Sequence, residues 1–360
     1  MNNLTIPGGL IIRAIAQTDN AGLKQFLGLN SEGGKISVQT RLKVEDLQAA
    51  YDLIYPENYG LVAYLPGIEI PVGAVYGWPH LATFGEDSAR QLLMVHSLAV
   101  HPNYQRQGIA ATLVQALINW CHSNYGSEVL VYAFIQDGNS ASNGVFNKLG
   151  FIPTGQKLMG QPVKTSHKTR GMSGYVVREI SDNDYEQVVN GLNQFYSGYD
   201  LYQPQTITTF KEWLALQKLD GKQVKLADYY LITAQNGEIL GGAGLSRYGS
   251  VMFERKIVDG PPLLKFANKF LKIVPSNGVI NTQVVKYSWY KAGQEQALKN
   301  LWSWLRGTYH GQADNLIFSL DFNSSLKPLI KASPFHPTMY QNLVILKKGL
   351  GRISEGRPVV

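Results

Sequence analysis

The chain has 360 residues, of which 44% are hydrophobic and 11% aromatic, more apolar material than a disordered chain carries. At about 100–200 residues per domain, this length excludes a single small module and predicts two domains. Lys and Arg number 33 against 26 Asp and Glu, a net charge of +7, which favours an anionic ligand without identifying it.

The first half of the chain alternates strand and helix patterns. The apolar run at 10–15 predicts a strand, and Asp19 follows it as a helix cap. Two β-like runs on either side of Pro66 and Gly67 predict a hairpin, and residues 91–100 resemble a strand buried on both faces. The other predicted elements of this half are a turn at 101–104, a helix at 109–123, a strand at 129–135 and a helix at 140–149 that Gly150 ends.

A basic segment follows these elements. Residues 155–178 contain five Lys and Arg and no Asp or Glu. This composition predicts a linker at 161–175, which is either a solvated loop or a contact surface for an anionic partner. The predicted domains are then 1–160 and 176–349, with a flexible tail at 350–360.

The second half repeats landmarks of the first. A helix follows Gly293 as one follows Gly108, and the strand predicted at 315–321 precedes a helix predicted at 326–332. Further landmarks recur in the same order, at Arg13, Asp19 and Phe151 in the first half and at Arg178, Asp184 and Phe335 in the second. We interpret this as a diverged duplication of one α/β unit, because the period is too long for a solenoid.

Cysteine content and hydropathy indicate in which cellular compartment the protein resides. Cys121 is the only cysteine, which excludes an intramolecular disulfide and a cysteine-based metal cluster. No basic residue precedes the short apolar run at 10–12, and no stretch approaches the roughly 18 apolar residues that span a bilayer. We therefore expect a cytoplasmic protein without membrane insertion.

The segment from Leu98 to Thr112 combines a strand end, a tight turn and a glycine-containing loop that opens a helix. N–H groups at a helix start lack intrahelical acceptors, and the helix dipole adds partial positive charge. Gly108 lets a ligand approach the main chain, and Arg106 adds a cation. The segment predicts a pyrophosphate site, the alternative being an ordinary strand-to-helix turn.

The pattern Gln105-x-x-Gly108-x-Ala110 follows a strand that ends Leu-Ala-Val-His-Pro, and Asn139 and Lys-Leu-Gly-Phe151 come after it. This order resembles the acyl-CoA signature of the Gcn5-related N-acetyltransferase (GNAT) superfamily. The resemblance implies an α/β fold of two tandem GNAT-like domains, each a mixed, mostly antiparallel sheet flanked by helices. It also implies that the fourth and fifth strands splay apart to admit the pantetheine arm.

The same resemblance implies acetyl-CoA or a longer acyl-CoA as co-substrate, with no metal. Asn139 can bond the pantetheine arm in the family, but it fits a helix cap equally well. The residues that the resemblance assigns to the co-substrate are Leu98, Ala99, Val100, Gln105, Arg106, Gln107, Gly108, Ile109, Ala110, Ala111, Asn139 and Phe146.

The reaction that the family performs is direct attack of an amine on a thioester. His96 is the candidate base, because the period of two puts it on the strand face of Leu98 and an imidazole suits proton transfer. The alternative is a core histidine with satisfied hydrogen bonds. The family's usual acid, a tyrosine, is replaced by Phe146, so water or the hydroxyl of Tyr132 or Tyr104 is expected to protonate the thiolate.

The second half carries a weaker version of the loop. Glu295 stands where the first half has Ala110, and a carboxylate near a helix start repels an anion. Lys291 is expected to compensate this charge in part. We therefore expect a degenerate second domain that shapes the acceptor pocket or the groove between the domains, rather than a second active site.

These observations favour an acyl-CoA-dependent N-acyltransferase acting on a small-molecule amine or a peptide. One alternative is fatty-acyl transfer from CoA or an acyl carrier protein to a peptide side-chain amine in natural-product maturation. Another is a non-catalytic acyl-CoA-binding regulatory protein, which the missing tyrosine suggests. Nucleic acid is the weakest candidate partner, because only the net charge and the basic segment favour it.

Overall fold

The computed structural model describes residues 8–29, 31–32, 37–85, 87–167, 172–260, 262–271, 274–330, 338–347 and 357–360. The described residues form two compact units. The first is drawn from Met1–Lys157, Arg255–Pro261 and Tyr340–Glu355, and the second from Leu158–Glu254, Pro262–Met339 and Gly356–Val360.

The first part of the chain contains eight strands and four helices among its described residues. They are β1 (Ile11–Ala14), α1 (Asn20–Gly28), β2 (Ser31–Glu32), β3 (Ser37–Leu42), α2 (Leu47–Ile54), β4 (Tyr59–Tyr64), β5 (Gly73–Phe84), β6 (Asp87–Val100), α3 (Ile109–Tyr125), β7 (Leu130–Gln136), α4 (Ser140–Lys148) and β8 (Phe151–Lys164). Short 3-10 helices precede α1 and follow β6, at Gln17–Asp19 and Pro102–Tyr104.

The remainder of the described chain contains β9 (Tyr175–Glu179), α5 (Tyr185–Phe195), α6 (Ile207–Leu214), β10 (Leu216–Leu219), β11 (Lys222–Lys225), β12 (Ala227–Ala234), β13 (Ile239–Ser246), α7 (Tyr248–Met252), β14 (Phe253–Asp259), α8 (Pro262–Leu271), β15 (Val279–Ile280), β16 (Thr282–Tyr290), α9 (Glu295–Thr308), β17 (Asn315–Asp321) and β18 (Met339–Leu346). None of these described helices is long and apolar enough to cross a membrane.

The main sheet of the first unit has the strand order β1-β4-β5-β6-β7-β18. Its neighbours are antiparallel except β6 and β7, which run parallel. Helix α3 covers one face, where its buried Leu113 and Leu117 pack with Leu93 and Val95 of β6. The opposite face packs against α1 and α2 through Leu23, Phe26 and Leu47.

The second unit repeats this architecture. Its sheet has the order β9-β12-β13-β16-β17-β8, and only β16 and β17 run parallel. The repeated Arg and Asp of the sequence make the same ion pair in each unit: Arg13 to Asp19 and Arg178 to Asp184, both at 2.6 Å. The predicted tandem α/β architecture is confirmed, and both aspartates hold the first turn of a helix.

Each unit completes its sheet with a strand from the other half of the chain. Strand β18 pairs with β7 of the first unit, whereas Leu158–Lys164 of β8 pair with β17 of the second. Residues 161–164, which the sequence predicted to be linker, therefore lie in a strand, where β17 satisfies their main-chain groups. Whether 1–160 and 176–349 fold as separate domains stays a prediction.

Two predicted segments near the C-terminus differ from the structure. Of the helix predicted at 326–332, the described residues form a 3-10 turn at Lys327–Leu329, which ends at Ile330 because the backbone there is extended. In the predicted tail, residues 357–360 pack against the protein: Val359 is 1% exposed and the main chain pairs with Asp200. Residues 331–337, which include the Phe335 landmark, and 350–356 of the tail lie outside the described residues.

Candidate active site

The loop before α3 presents unpaired main-chain donors. Arg106 and Gly108 have positive φ values of 61° and 83°, the alternation that forms anion-binding concavities. The first hydrogen bond of the helix runs from Thr112 N to Gly108 O at 3.0 Å. Within the described residues, the N–H groups of residues 106–111 have no acceptor. Together with the exposed Arg106 side chain, this arrangement suits a phosphate-bearing ligand.

Strands β6 and β7 separate just upstream of this loop. Their parallel pairing is found only at residues 92–94 of β6 in the described chain, and Met94 and Tyr132 form its last pair. His101 N donates to Val72 O at 2.9 Å, so the N–H of His101 faces β5. Because successive residues of a strand direct their main-chain groups to opposite sides, the N–H and C=O groups of Leu98 and Val100 face the side from which β7 has separated.

Not every predicted co-substrate contact lies at this open edge. Ala99 pairs with Ala74 of β5, so its main-chain groups face away from the cleft. Gln105 donates its amide to Val100 O at 3.2 Å, and Gln107 donates to Asn103 O at 3.5 Å, which holds the loop in shape. Both glutamine side chains therefore bind the protein, and their main-chain groups remain the candidates for ligand contact.

Asn139 and Phe146 belong to the protein framework. Asn139 Oδ1 accepts from Ser142 N at 3.0 Å and caps α4, the structural one of its two predicted roles. Phe146 is 4% exposed and its ring centroid lies 4.9 Å from that of Phe151 in the core. The Phe146 ring is thus covered by apolar neighbours, and its contact with the co-substrate stays a prediction.

A hydrogen-bonded chain of side chains stands at an irregularity in β6. Ser97 has φ 51°, and the Ser97 hydroxyl lies 3.1 Å from His96 Nδ1 and 2.9 Å from Tyr51 Oη. His96 Nε2 lies 2.9 Å from Asn58 Oδ1. Because an amide oxygen only accepts, Nε2 carries the imidazole proton, and Nδ1 accepts from Ser97, which accepts from Tyr51.

Burial lowers the pKa of His96 to about 3, so the imidazole is neutral throughout the physiological pH range. Its environment consists mainly of aromatic rings, with Tyr55 at 4.5 Å and Tyr51 at 5.6 Å between centroids. A neutral imidazole keeps a lone pair at Nδ1, which a proton can reach through the Ser97 hydroxyl. The same hydrogen bonds would also hold a core histidine, so the geometry fits both predicted alternatives.

The two candidate acids differ in setting. Tyr132 Oη lies 3.2 Å from His80 Nε2, and His80 Nδ1 lies 3.0 Å from Trp78 O. The carbonyl fixes the proton on Nδ1, so Tyr132 donates to Nε2. Burial raises the pKa of Tyr132 and lowers that of His80 to about 4. Tyr132 is thus a protonated phenol where β6 and β7 separate. Tyr104 lies beyond the end of β6, in the 3-10 helix Pro102–Tyr104.

Among the described residues of the second unit, the connection that corresponds to the loop before α3 is shorter. Lys291 Nζ lies 2.7 Å from Glu238 Oε1, so the lysine expected to offset Glu295 is paired with a different carboxylate. Only residues 291–294 separate β16 from α9, whereas 101–108 separate β6 from α3. The shorter connection omits the turn that carries Arg106 in the first unit.

Sequence reasoning missed Tyr51, Asn58, Ser97 and His80 as members of the site. Ser97 stands inside the recognised strand motif, but that motif does not show that an irregular strand turns Ser97 toward Tyr51 of α2. Asn58 and His80 carry no local signal, because they approach through pairing of β4 and β5 with their neighbours.

Asn58→Asp is expected to raise the pKa of His96 from about 3, since a carboxylate 2.9 Å from Nε2 favours the imidazolium. NMR titration of the His96 ring carbons measures the change. Asn58→Ala is the control, because it removes the acceptor without adding charge. An unmoved pKa in Asn58→Asp would show that the Asn58–His96 contact does not govern this imidazole.

Comparisons with known proteins identify the fold. Residues 35–151 match the model of the acetyltransferase (GNAT) family. Among curated proteins, no sequence is significantly similar to this chain. Saccharomyces cerevisiae N-myristoyltransferase, solved with bound myristoyl-CoA, superimposes with a TM-score of 0.60 at 10% identity, covering 99% of this chain and 86% of that chain.

A GCN5-related N-acetyltransferase from Sphaerobacter thermophilus is also similar in structure. It superimposes with a TM-score of 0.56 at 13% identity, covering 99% of this chain and 98% of that one. At such identities the likeness to both structures concerns the fold, which extends over nearly the whole chain.

Proposed function

We propose that the protein is an N-acyltransferase that moves an acyl group from a CoA thioester to a primary amine by direct attack. The premise is the match of residues 35–151 to the model of the GNAT acetyltransferase family. The observation that carries the proposal is the run of unpaired N–H groups at 106–111 beside the open edge of β6. Any helix start leaves its first N–H groups unpaired, and here the positive φ values of Arg106 and Gly108 extend that run into the loop.

In this proposal the first unit binds the co-substrate along β6 and the following loop. The N–H groups of residues 106–111 and the Arg106 guanidinium hold the phosphates. The outward C=O group of Leu98 and the outward N–H group of Val100 bind the amides of the pantetheine arm. The irregularity at Ser97 then lies beside the thioester.

The amine nitrogen attacks the thioester carbonyl carbon and forms the C–N bond, and the C–S bond then breaks. The N–H group of Leu98 can donate to the carbonyl oxygen as it gains charge. The proton lost from the amine nitrogen passes through Ser97 to Nδ1 of His96. Water or the Tyr132 hydroxyl supplies the proton that the departing thiolate takes up, and the products are an amide and CoA.

We propose a cytoplasmic location and an amine of a small molecule or peptide as the acceptor. The fold shared with an N-myristoyltransferase solved with myristoyl-CoA favours testing long acyl chains beside acetyl. Thermal stabilisation by acetyl-, octanoyl- and palmitoyl-CoA ranks the donors, and release of free CoA with panels of amines and peptides identifies the acceptor class. Binding of acyl-CoA without turnover on any acceptor would favour the regulatory alternative.

Phe146→Tyr is expected to change turnover by no more than about tenfold, or roughly 1.4 kcal/mol, because the ring lies in the core. It is expected to destabilise the fold by about 1–3 kcal/mol, since the new hydroxyl is buried without a partner. Steady-state rates and urea unfolding measure the two effects. A gain from no activity to clear activity would instead assign the missing acid to this position and overturn the enzyme proposal for the parent.

A further inference from the structure

The strand irregularity at His96 has a counterpart in the second unit. In the first unit Gly73 pairs with Val100 and Tyr76 with His96, with an irregular step between Ala74 and Tyr76. In the second unit Gly241 pairs with Tyr290 and Gly244 with Lys286, with an irregular step between Gly242 and Gly244. Ser97 and Tyr287 both have φ 51°. Lys286 therefore occupies the position in the second unit that His96 occupies in the first.

Lys286 also stands where two parallel strands separate. The pairing of β16 with β17 is found as far as Val285 and Phe318 in the described chain, and Lys286 is the next residue. The cleft that the first unit is proposed to use thus persists in the second unit. A lysine at its apex is exposed to solvent, whereas His96 is partly covered.

Aromatic rings flank this lysine. Residues opposite each other in a sheet share a face, and Lys286 is opposite Gly244. A Cβ at Gly244 would lie 2.4 Å from Cη2 of Trp213, so the indole covers the sheet directly beside Lys286. The ring centroid of Tyr287 lies 4.9 Å from that of Trp213. The ammonium therefore has an apolar wall next to it.

Lys286 has no hydrogen bond or ion pair within the described chain. Asp228 of the same unit differs from Lys286 in this respect, because it forms ion pairs with Lys225 at 2.8 Å and with Arg247. The side chain of Lys286 reaches solvent, but the protein around it removes part of its hydration and so lowers its pKa, and no neighbouring charge contributes. A bound anion would supply the missing counter-charge and favour the ammonium form.

We propose that the cleft at Lys286 binds a monocarboxylate with an apolar body, its carboxylate on the ammonium and its apolar part against Trp213 and Tyr287. A single ammonium beside aromatic rings suits a carboxylate. A phosphate would be expected to need several donors, which this protein presents at 106–111 in the first unit. The proposal does not depend on acyl transfer by the first unit.

Decanoate is the probe, and decanamide, which has the same chain without the charge, is its control. Isothermal titration with the full chain is expected to show decanoate binding that weakens at least about tenfold in Lys286→Met and persists within about threefold in Lys286→Arg. Decanamide is expected to bind the parent and Lys286→Met alike. Circular dichroism checks that both variants are folded.

The first unit supplies a second control, since an apolar chain could also enter its cleft. Gly108→Glu is expected to leave decanoate binding intact, because that residue belongs to the other unit. Equal decanoate affinity in the parent and Lys286→Met would overturn the proposal. So would loss of decanoate binding in Gly108→Glu with retention in Lys286→Met, because the ligand would then lie in the first unit.

Discussion

Gly108→Glu is expected to abolish thermal stabilisation by acyl-CoA, a loss of at least about 100-fold in affinity. The substitution brings a carboxylate to a site whose N–H groups are unpaired and suited to phosphate, so like charges repel where charge-assisted hydrogen bonds would form. The φ of 83° also strains any residue with a Cβ by about 1–2 kcal/mol. Thermal shift and titration with acetyl-CoA measure the loss.

Gly293→Glu is the matched control. Gly293 has φ 77°, and a Cβ there meets nothing within 4 Å, so the backbone strain is similar while the position lies in the second unit's loop. Acyl-CoA stabilisation is expected to survive this change. Equal loss in the two variants would show that both loops bind the co-substrate, or that strain alone explains the effect, and would contradict the assignment of the site to the first unit.

His96→Ala is expected to lower turnover by about 10²–10⁴-fold while acyl-CoA affinity persists. The sign of the pH dependence follows from the buried imidazole. With a pKa of about 3, His96 stays neutral from pH 6 to 9, so protonation of the acceptor amine controls the rate of the parent. His96 takes up the proton that the nitrogen loses after attack and keeps one protonation state over this range, so the deficit of the variant should be the same from pH 6 to 9.

Profiles of kcat/KM against pH for the parent and His96→Ala test this expectation. Ser97→Ala should give the same pattern with a smaller deficit, because it removes the hydroxyl 3.1 Å from Nδ1 while leaving the imidazole in place. If His96→Ala turns over at the parental rate across this range, His96 is a core histidine and the base lies elsewhere.

The sequence alone determined the features that neighbouring residues fix. The helix starting at Ile109 and the strand before it follow from hydrophobic periodicity. Gly108 marks a left-handed position at the helix start, and the repeated Arg and Asp indicated the duplication, because the same ion pair holds the same turn in both units. These patterns are local, so the fold class and the loop could be predicted.

Only the tertiary structure decided which strands complete each sheet and which side chains meet at β6. Strand β8 pairs with β17, and β18 pairs with β7. These partners are far apart in the chain, and no local pattern encodes such a pairing. The contact of His96 with Asn58, and the counterpart at Lys286, depend on irregular strand register. Register is set by packing of whole faces against helices, so the residues beside a strand do not reveal it.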